Sequence, residues 1–258
     1  AGHQESGRLS NHQAMIALCL ELMGQLLDTD RWKNHALERL SMVLSWQTEE
    51  GWFWEYEGCD PGYLTLTITI LARIDQISPS AELTKALAAA VAFAAHFIHP
   101  DGSFGGEYGS RNSYNFFPHG FELLGRTNDQ ALAINDLFLG GLREGRGPSY
   151  ADDHMIGHHT WNYFLAWQDF VPDRPAQLSH MKGRKYFPTA KLMIERQGEM
   201  TLYVALNKGG VFKAFWRDEL ICSDTQFSIK TNCFPPRNAV GHLVSDYAID
   251  FDDCGFVV

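Results

Sequence analysis

The spacing of apolar residues changes along this chain, and the change limits it to a helical part followed by a β part. From Ser10 to about Phe170, apolar residues recur at i, i+3, i+4 and i+7, which is typical of amphipathic helices. The segment Lys191–Trp216 instead alternates apolar and polar residues and contains the turn sequences Gln197-Gly198 and Lys208-Gly209-Gly210. This second pattern predicts antiparallel strands joined by hairpins.

The sequence DRPAQ, Asp173–Gln177, is the predicted linker between the two parts. The expected organisation is an α domain over residues 1–172 and an antiparallel β domain over residues 185–258. The run YLTLTITIL, which begins at Tyr63, suits a strand as well as a helix, but its helical neighbours favour a helix. The apolar pattern predicts helices beginning near Ser10 and over Asp30–Gln47, Tyr63–Ile77, Leu83–Ile98, Phe116–Leu124, Asp129–Leu142 and His154–Asp169.

An internal repeat predicts how the helices are arranged. EEGWFWEYEG, Glu49–Gly58, aligns with PDGSFGGEYG, Pro100–Gly109, at an offset of 51 residues. This length accommodates two helices and two connections, so the repeating unit is a helical hairpin. Repeated hairpins of this kind form arrays or closed α/α toroids. We therefore expect an incomplete (α/α) toroid whose glycine-rich loops share one rim, followed by an antiparallel β-sheet or sandwich.

The connection Asp101–Gly120 is longer than most helix–helix connections, and long connections of this kind are usually functional or disordered. Its many aromatic residues argue against disorder. Arg111, Asn112 and His119 lie within nine residues and form a dense set of hydrogen-bonding groups. Because arginine offers a planar pair of donors to a carboxylate, this set suits an anionic ligand.

Composition excludes several classes of protein. The net charge of −10 argues against a general nucleic-acid-binding protein. No run of about 18 apolar residues is present, so no membrane-spanning helix is expected. Five cysteines without C-x-x-C spacing indicate neither a zinc cage nor a complete disulfide framework. The chain begins without an initiator methionine or a signal peptide, and we interpret it as part of a longer protein.

Two further groups of residues have possible chemical roles. His154 and His158 lie four residues apart and would share a helix face, as some metal ligands do, but no glutamate follows the first histidine as in metalloproteases. Histidines exposed to solvent or lining the toroid are the favoured interpretation. The carboxylates that suit the acid and base of a glycosidase are Glu55, Glu57, Asp60 and Glu107.

The order of a helical toroid, a short linker and a β region beginning YFPTAKLMIER resembles the heparinase II/III-like and alginate-lyase-like polysaccharide lyases. Their β-sandwich often opens with F-P-x-A-x-x-x-x-R, which Phe187–Ala190 and Arg196 match. They also place Asn or Asn-His about fifty residues before a catalytic tyrosine, with a D-G-x-F-x-E segment shortly before that tyrosine. Asn11-His12, the segment EGWFWEYEG and Tyr63 are similar to this layout.

The resemblance implies a β-elimination that needs no cofactor and acts on an acidic polysaccharide or oligosaccharide. Asn11, His12, Tyr63 and His119 would be catalytic, with the Tyr63 pKa lowered by nearby cations if this residue is the base. Periplasmic or secreted localisation would accompany such an activity. The residues expected to bind substrate are Arg111, Asn112, Trp52, Trp54, Tyr108 and Glu107.

Other interpretations remain open at this point. WQTEEGWF, Trp46–Phe53, is similar to repeats of terpenoid-cyclase-like toroids, but the acidic signature of protonating cyclases is absent from the helical part. An inverting glycosidase would use pairs of carboxylates instead of tyrosine and asparagine. A non-catalytic carbohydrate-binding or scaffold protein would bind glycans through aromatic residues at the rim without turning them over.

Overall fold

The computed structural model describes residues 7–148, 153–174, 182–225, 228–232, 234–235, 237–240, 243–251 and 256–257. Its helices precede its strands, as the change of period predicts. Within the described ranges the helices are α1 (Ser10–Leu26), α2 (Lys33–Ser45), α3 (Pro61–Ile77), α4 (Ala81–Ala94), α5 (His119–Leu124), α6 (Asp129–Arg143) and α7 (Asp153–Gln168). No helix among these residues is both long enough and apolar enough to cross a membrane.

The ambiguous run after Tyr63 is helical, as predicted. Asp60 caps α3 by accepting a hydrogen bond from the Tyr63 backbone N–H at 2.9 Å, and Pro61 occupies the first turn, where its missing N–H costs nothing. The helix then buries Leu64, Ile68 and Leu71, which lie on one helical face. Capping by Asp60 and burial of this face together favour a helix, although the alternating sequence YLTLTITIL would also suit a strand.

The helices pack as successive hairpins. Helix α1 contacts α2 and α3, α3 contacts α4 and α5, and α5 contacts α6 and α7. Alternate helices, α1, α3, α5 and α7, are therefore neighbours in sequence order, while α4 also contacts α6 on the other side. The alternate helices therefore lie side by side and together form one face of the helical part.

The predicted repeat is present in the backbone. An isolated bridge joins Gln47 to Phe53, and its counterpart 51 residues later joins Ile98 to Phe104. Gly51 and Gly102 both have positive φ, +101° and +80°, at equivalent positions in the two turns. The second bridge also explains why α4 ends at Ala94, before the predicted Ile98: the chain has already left the helix to form the turn.

The strands form a five-stranded antiparallel sheet in sequence order, with turns at the predicted glycines. Two separate two-stranded hairpins follow it in the described residues. The sheet strands are β1 (Gly183–Phe187), β2 (Leu192–Gln197), β3 (Met200–Ala205), β4 (Val211–Trp216) and β5 (Glu219–Asp224). The hairpin strands are β6 (Ser228–Lys230), β7 (Asn238–Val240), β8 (Asp250–Phe251) and β9 (Phe256–Val257).

The sheet packs against the helical part, and the two share one hydrophobic core. Phe187 of β1 packs on Phe93 and Phe97, with ring centroids 5.0 and 5.5 Å away. Tyr203 of β3 donates to the carbonyl oxygen of Ile98 at 3.1 Å. Arg196, the last residue of the F-P-x-A-x-x-x-x-R pattern, donates to the carbonyl oxygen of His96 at 2.9 Å. The sheet is thus fixed to the end of α4 and the turn that follows it.

The segment after α7 is also bound to the helices. Arg174, at the start of the predicted linker, pairs with the buried carboxylate of Glu122, at 2.6 Å to Oε1 and 3.1 Å to Oε2, and with Asp136 at 3.3 Å. The rest of the predicted linker, residues 175–177, lies outside the described residues. Its described beginning is therefore anchored on α5 and α6.

Candidate functional site

A cavity of about 340 Å³ is lined by the alternate helices α1, α3 and α7 and by residues at the start of α5. Its apolar wall includes Leu18, Leu66, Ile70 and Leu165. The polar side chains that line it are Asn11, His12, Tyr63, Thr69, Arg73, His119, His158 and Asn162. The four residues predicted to be catalytic therefore lie in the lining of a single cavity.

The charge of this cavity differs from that of the whole chain. Arg73 and three histidines, His12, His119 and His158, line it, and no aspartate or glutamate among the described residues does. A chain with a net charge of −10 thus has a cavity whose lining includes the positive guanidinium of Arg73 and no described carboxylate. Such a cavity favours an anionic ligand over a cationic one.

Asn11 is held from behind by a buried carboxyl group. Its Nδ2 donates to Glu55 at 2.5 Å to Oε1 and 2.8 Å to Oε2, and its backbone N–H donates to Oε1 at 3.0 Å. Both residues are almost fully buried. Burial, the largest effect, and the nearby Asp60 raise the pKa of Glu55 from 4.5 to about 8, although the Asn11 hydrogen bonds and Arg111 oppose this.

Tyr63 lies in the first turn of α3, half-buried in the cavity wall. Its pKa is raised, first by burial and then by the charge of Asp60, and the guanidinium of Arg111 only partly offsets this. The expectation that cations lower its pKa is therefore not met. A phenol that keeps its proton is suited to act as an acid rather than as a base.

His119 begins α5 and is held in one tautomer. Its Nε2 lies 2.8 Å from Asp169 Oδ2, and because a carboxylate only accepts, Nε2 carries the proton. Its Nδ1 is buried and has no hydrogen-bond partner among the described residues. Burial is also the largest effect on the pKa of His119 and lowers it, although Asp169 acts in the opposite direction. Neutral His119 therefore has an unused lone pair on Nδ1.

The predicted anion-binding residues of the long connection lie elsewhere. The Arg111 guanidinium packs 4.0 Å from the ring centroid of Tyr56 and is outside the cavity lining, although its charge acts on Tyr63 and Glu55. Asn112 accepts a hydrogen bond through Oδ1 from the ammonium group of Lys208. The same ammonium group donates to the carbonyl oxygens of Glu107 and Gly109, at 2.5 and 2.9 Å. Lys208 thus anchors this connection on the turn between β3 and β4.

The structure does not support the predicted substrate-binding role of two of the three aromatic residues. Trp52 is completely buried and donates to Glu50 at 2.8 Å, and Tyr108 is buried against Tyr203 at the contact between sheet and helices. Neither ring is accessible to a glycan, because both are buried in the core that the helices and the sheet share. The half-buried Trp54 lies under the guanidinium of Arg8, 4.2 Å from the ring centroid, and outside the cavity lining.

Glu107 also has structural partners in place of a substrate. Its carboxylate accepts from the Tyr114 hydroxyl, lies 3.3 Å from the Lys213 ammonium group and accepts from Ser223 at 3.3 Å. These contacts join the long connection to β4 and β5. Contacts within the protein therefore explain the position of the Glu107 carboxylate without a bound ligand.

The described residues do not form a metal site. No group of three histidine, cysteine, aspartate or glutamate side chains among them is arranged to hold a metal ion. His158 lines the cavity, while the side chain of His154 lies outside the described part of the structure. The structure therefore places one histidine of this candidate pair in the cavity.

Arg73 is the cavity residue that the sequence interpretation missed. It lies in α3 with Tyr63, Leu66 and Ile70, all of which line the cavity. Their spacing of three, seven and ten residues from Tyr63 places them on one face of a helix. That spacing is the signal from which Arg73 could have been found, once Tyr63 was selected.

No protein-family model matches the chain, and a search of curated proteins finds no match either. Function is therefore inferred from the chemistry of the cavity, together with the resemblance of the sequence motifs.

Proposed function

We propose that the chain is a polysaccharide lyase that cleaves uronic-acid-containing glycans by β-elimination. The order of contacts between helices supports an incomplete (α/α) toroid, with the shared face of α1, α3, α5 and α7 turned towards the substrate. The five-stranded sheet would be one layer of the β-sandwich that follows the toroid in the lyases that the sequence resembles. The proposed ligand is an acidic polysaccharide or oligosaccharide.

The observation that carries this proposal is the chemistry of the cavity lining. Asn11, Tyr63 and His119 meet there with Arg73, in the absence of any described carboxylate side chain. An inverting glycosidase needs two carboxyl groups facing the scissile bond across room for a water molecule. The buried Glu55 and Asp60 do not line the cavity, so β-elimination is the better-supported reaction.

The first requirement of the reaction is to neutralise the sugar carboxylate, so that the adjacent C–H bond becomes acidic. Arg73 is a permanently charged group in the cavity lining, and His12 and Asn11 lie in the same lining. In the proposed complex, these groups hold the carboxylate and stabilise the negative charge that develops as the proton leaves.

The remaining steps need one base and one acid. The substrate must first displace the side chains that bury Nδ1 of His119. Nδ1 then takes the proton beside the carboxylate, and Asp169 stabilises the resulting imidazolium through Nε2–H. The electron pair of the broken C–H bond forms the new carbon–carbon double bond, and the bond to the 4-linked oxygen breaks. Tyr63 gives its phenolic proton to that departing oxygen. No cofactor takes part in this scheme.

Replacement of Tyr63 by phenylalanine tests the proposal. We expect Tyr63→Phe to lower the rate at which unsaturated uronate absorbance appears by about 100-fold or more, since general acid catalysis contributes about 10²–10⁴-fold. Tyr247→Phe, at a partly exposed tyrosine outside the cavity lining, is the matched control and should retain full activity. Full activity of Tyr63→Phe would remove Tyr63 from the mechanism.

A further inference from the structure

Glu55 and Asn11 form a buried, hydrogen-bonded pair, and the proposed binding of substrate by Asn11 gives Glu55 no role. Glu55 is 1% exposed, and its carboxyl group binds both the backbone N–H and the side-chain amide of Asn11. Asn11 also lines the cavity. The end of its amide that Glu55 does not hold is therefore the end available to a ligand.

The protonation state of Glu55 determines which amide end it can hold. A carboxylate only accepts hydrogen bonds, so it holds the NH₂ end, as in this structure, and leaves Oδ1 for the ligand. A protonated carboxyl group can donate its O–H to Oδ1, while its other oxygen still accepts from the backbone N–H of Asn11. Turning the amide by 180° then presents the two Nδ2 hydrogens to the cavity.

Only the second arrangement suits an anionic ligand. A sugar carboxylate accepts hydrogen bonds and is repelled by the partial negative charge of Oδ1, whereas Nδ2–H donates to it. The groups that act on Glu55 come from several elements. Asn11 belongs to α1, Asp60 caps α3, Tyr63 lies in the first turn of α3, and Arg111 belongs to the long connection.

We propose that Glu55 is a positioning residue whose proton turns the Asn11 amide, so that the cavity presents donors to a uronate carboxylate when Glu55 is protonated and an acceptor when it is ionised. This inference rests on the proposed function for the identity of the ligand, but the turning of the amide does not depend on it. The neutral form should predominate at neutral pH, since burial raises the pKa of Glu55 to about 8. Anion binding should then weaken in alkaline solution.

The first test observes the amide itself, without a ligand. In ¹⁵N-labelled full-length protein, the side-chain NH₂ signals of Asn11 should change between pH 6 and pH 9 with a midpoint near 8. Glu55→Gln keeps the shape of a neutral carboxyl group and should abolish this transition, while Glu57→Gln, at an exposed neighbouring carboxylate, should preserve it. A wild-type Asn11 signal that does not change over this range would overturn the proposal, whether or not the variants fold.

The second test measures binding of D-glucuronate, with methyl glucoside as a control that lacks the carboxylate. With a pKa of about 8, about ten molecules in eleven keep the Glu55 proton at pH 7 and about one in eleven keeps it at pH 9. Because only the protonated form presents donors to the ligand, the wild-type dissociation constant should rise about tenfold over this range. Glu55→Gln should change less than twofold. Burial lowers the pKa of Lys208 to about 8, so it titrates in the same range, but any effect of Lys208 persists in the variant. An equal rise in both proteins would overturn the proposal.

The two tests separate this inference from the proposed function. If the wild-type protein binds no glucuronate at pH 7 but shows the Asn11 transition, the turning amide is supported and the uronate ligand is contradicted. If glucuronate binds and the Asn11 signals do not titrate, the lyase remains supported and the role of Glu55 is rejected.

Discussion

Substituting alanine for Gly51 tests the repeated turn on which the arrangement of hairpins depends. Gly51 has a φ of +101°, and a Cβ atom there would lie 2.4 Å from the carbonyl oxygen of Ala89 in α4. The backbone strain costs about 1–3 kcal/mol. Moving the turn away from a backbone oxygen costs about 1–3 kcal/mol more. We expect Gly51→Ala to lower the free energy of unfolding by about 4 kcal/mol.

The equivalent glycine of the second turn should behave in the same way. Gly102 has a φ of +80°, and its Cβ would lie 2.3 Å from the carbonyl oxygen of Leu137 in α6. Gly140→Ala is the matched control, because Gly140 lies within α6 and nothing approaches its Cβ position within 4 Å. Higher helix propensity should make this variant about 0.5–1 kcal/mol more stable.

Urea unfolding of the three variants and the wild-type protein measures these differences directly. If Gly51→Ala and Gly102→Ala unfold at the same urea concentration as Gly140→Ala, neither turn has the constrained geometry described. The structural equivalence of the two turns would then be rejected.

Three other outcomes are expected. The folded state keeps the Glu55 proton that the unfolded chain releases, so the free energy of unfolding should fall by about 5 kcal/mol as pH rises from 4.5 to about 8, at about 1.4 kcal/mol per tenfold change in proton affinity. Urea unfolding of Glu55→Gln should lack most of this fall, and an unchanged fall would contradict the raised pKa of Glu55. Lys208→Met should lower the free energy of unfolding by about 3 kcal/mol in the same assay, since it leaves buried carbonyl oxygens unpaired. Lys85→Met, at an exposed site, should change it by less than about 0.5 kcal/mol, and equal effects of the two variants would reject the anchoring role of Lys208. Asp169→Asn removes the negative charge that stabilises protonated His119, and it should lower kcat about 100-fold or more with little change in KM. Asp173→Asn, at an exposed site, should leave both unchanged, and wild-type kcat in Asp169→Asn would contradict the role of His119 as the base.

Much of the local structure could be predicted from sequence because local interactions determine it. The cap at Asp60, the proline after it and the spacing of apolar residues are sufficient to start α3. The glycines at 198 and 209 have φ of +60° and +64°, as the strand turns require. The offset of 51 residues predicted two equivalent turns, and their bridges and φ angles confirm it.

Contacts between distant segments could not be predicted in the same way. Trp52 and Tyr108 are aromatic residues of the kind that binds glycans at an exposed site, yet both are buried in the core that the helices and the sheet share. Asn112 is bound to Lys208, which is 96 residues away in sequence. Arg73 lines the cavity from the middle of α3, and the sequence indicates it only through its helical spacing from Tyr63.

The most direct measurement incubates the full-length protein with polymers of glucuronate, mannuronate and galacturonate and follows two products in parallel. β-Elimination predicts ultraviolet absorbance from unsaturated uronate that rises in step with new reducing ends on at least one polymer. New reducing ends without that absorbance would contradict the lyase and indicate hydrolysis. Binding to these glycans without either product would indicate a protein that recognises them but does not cleave them.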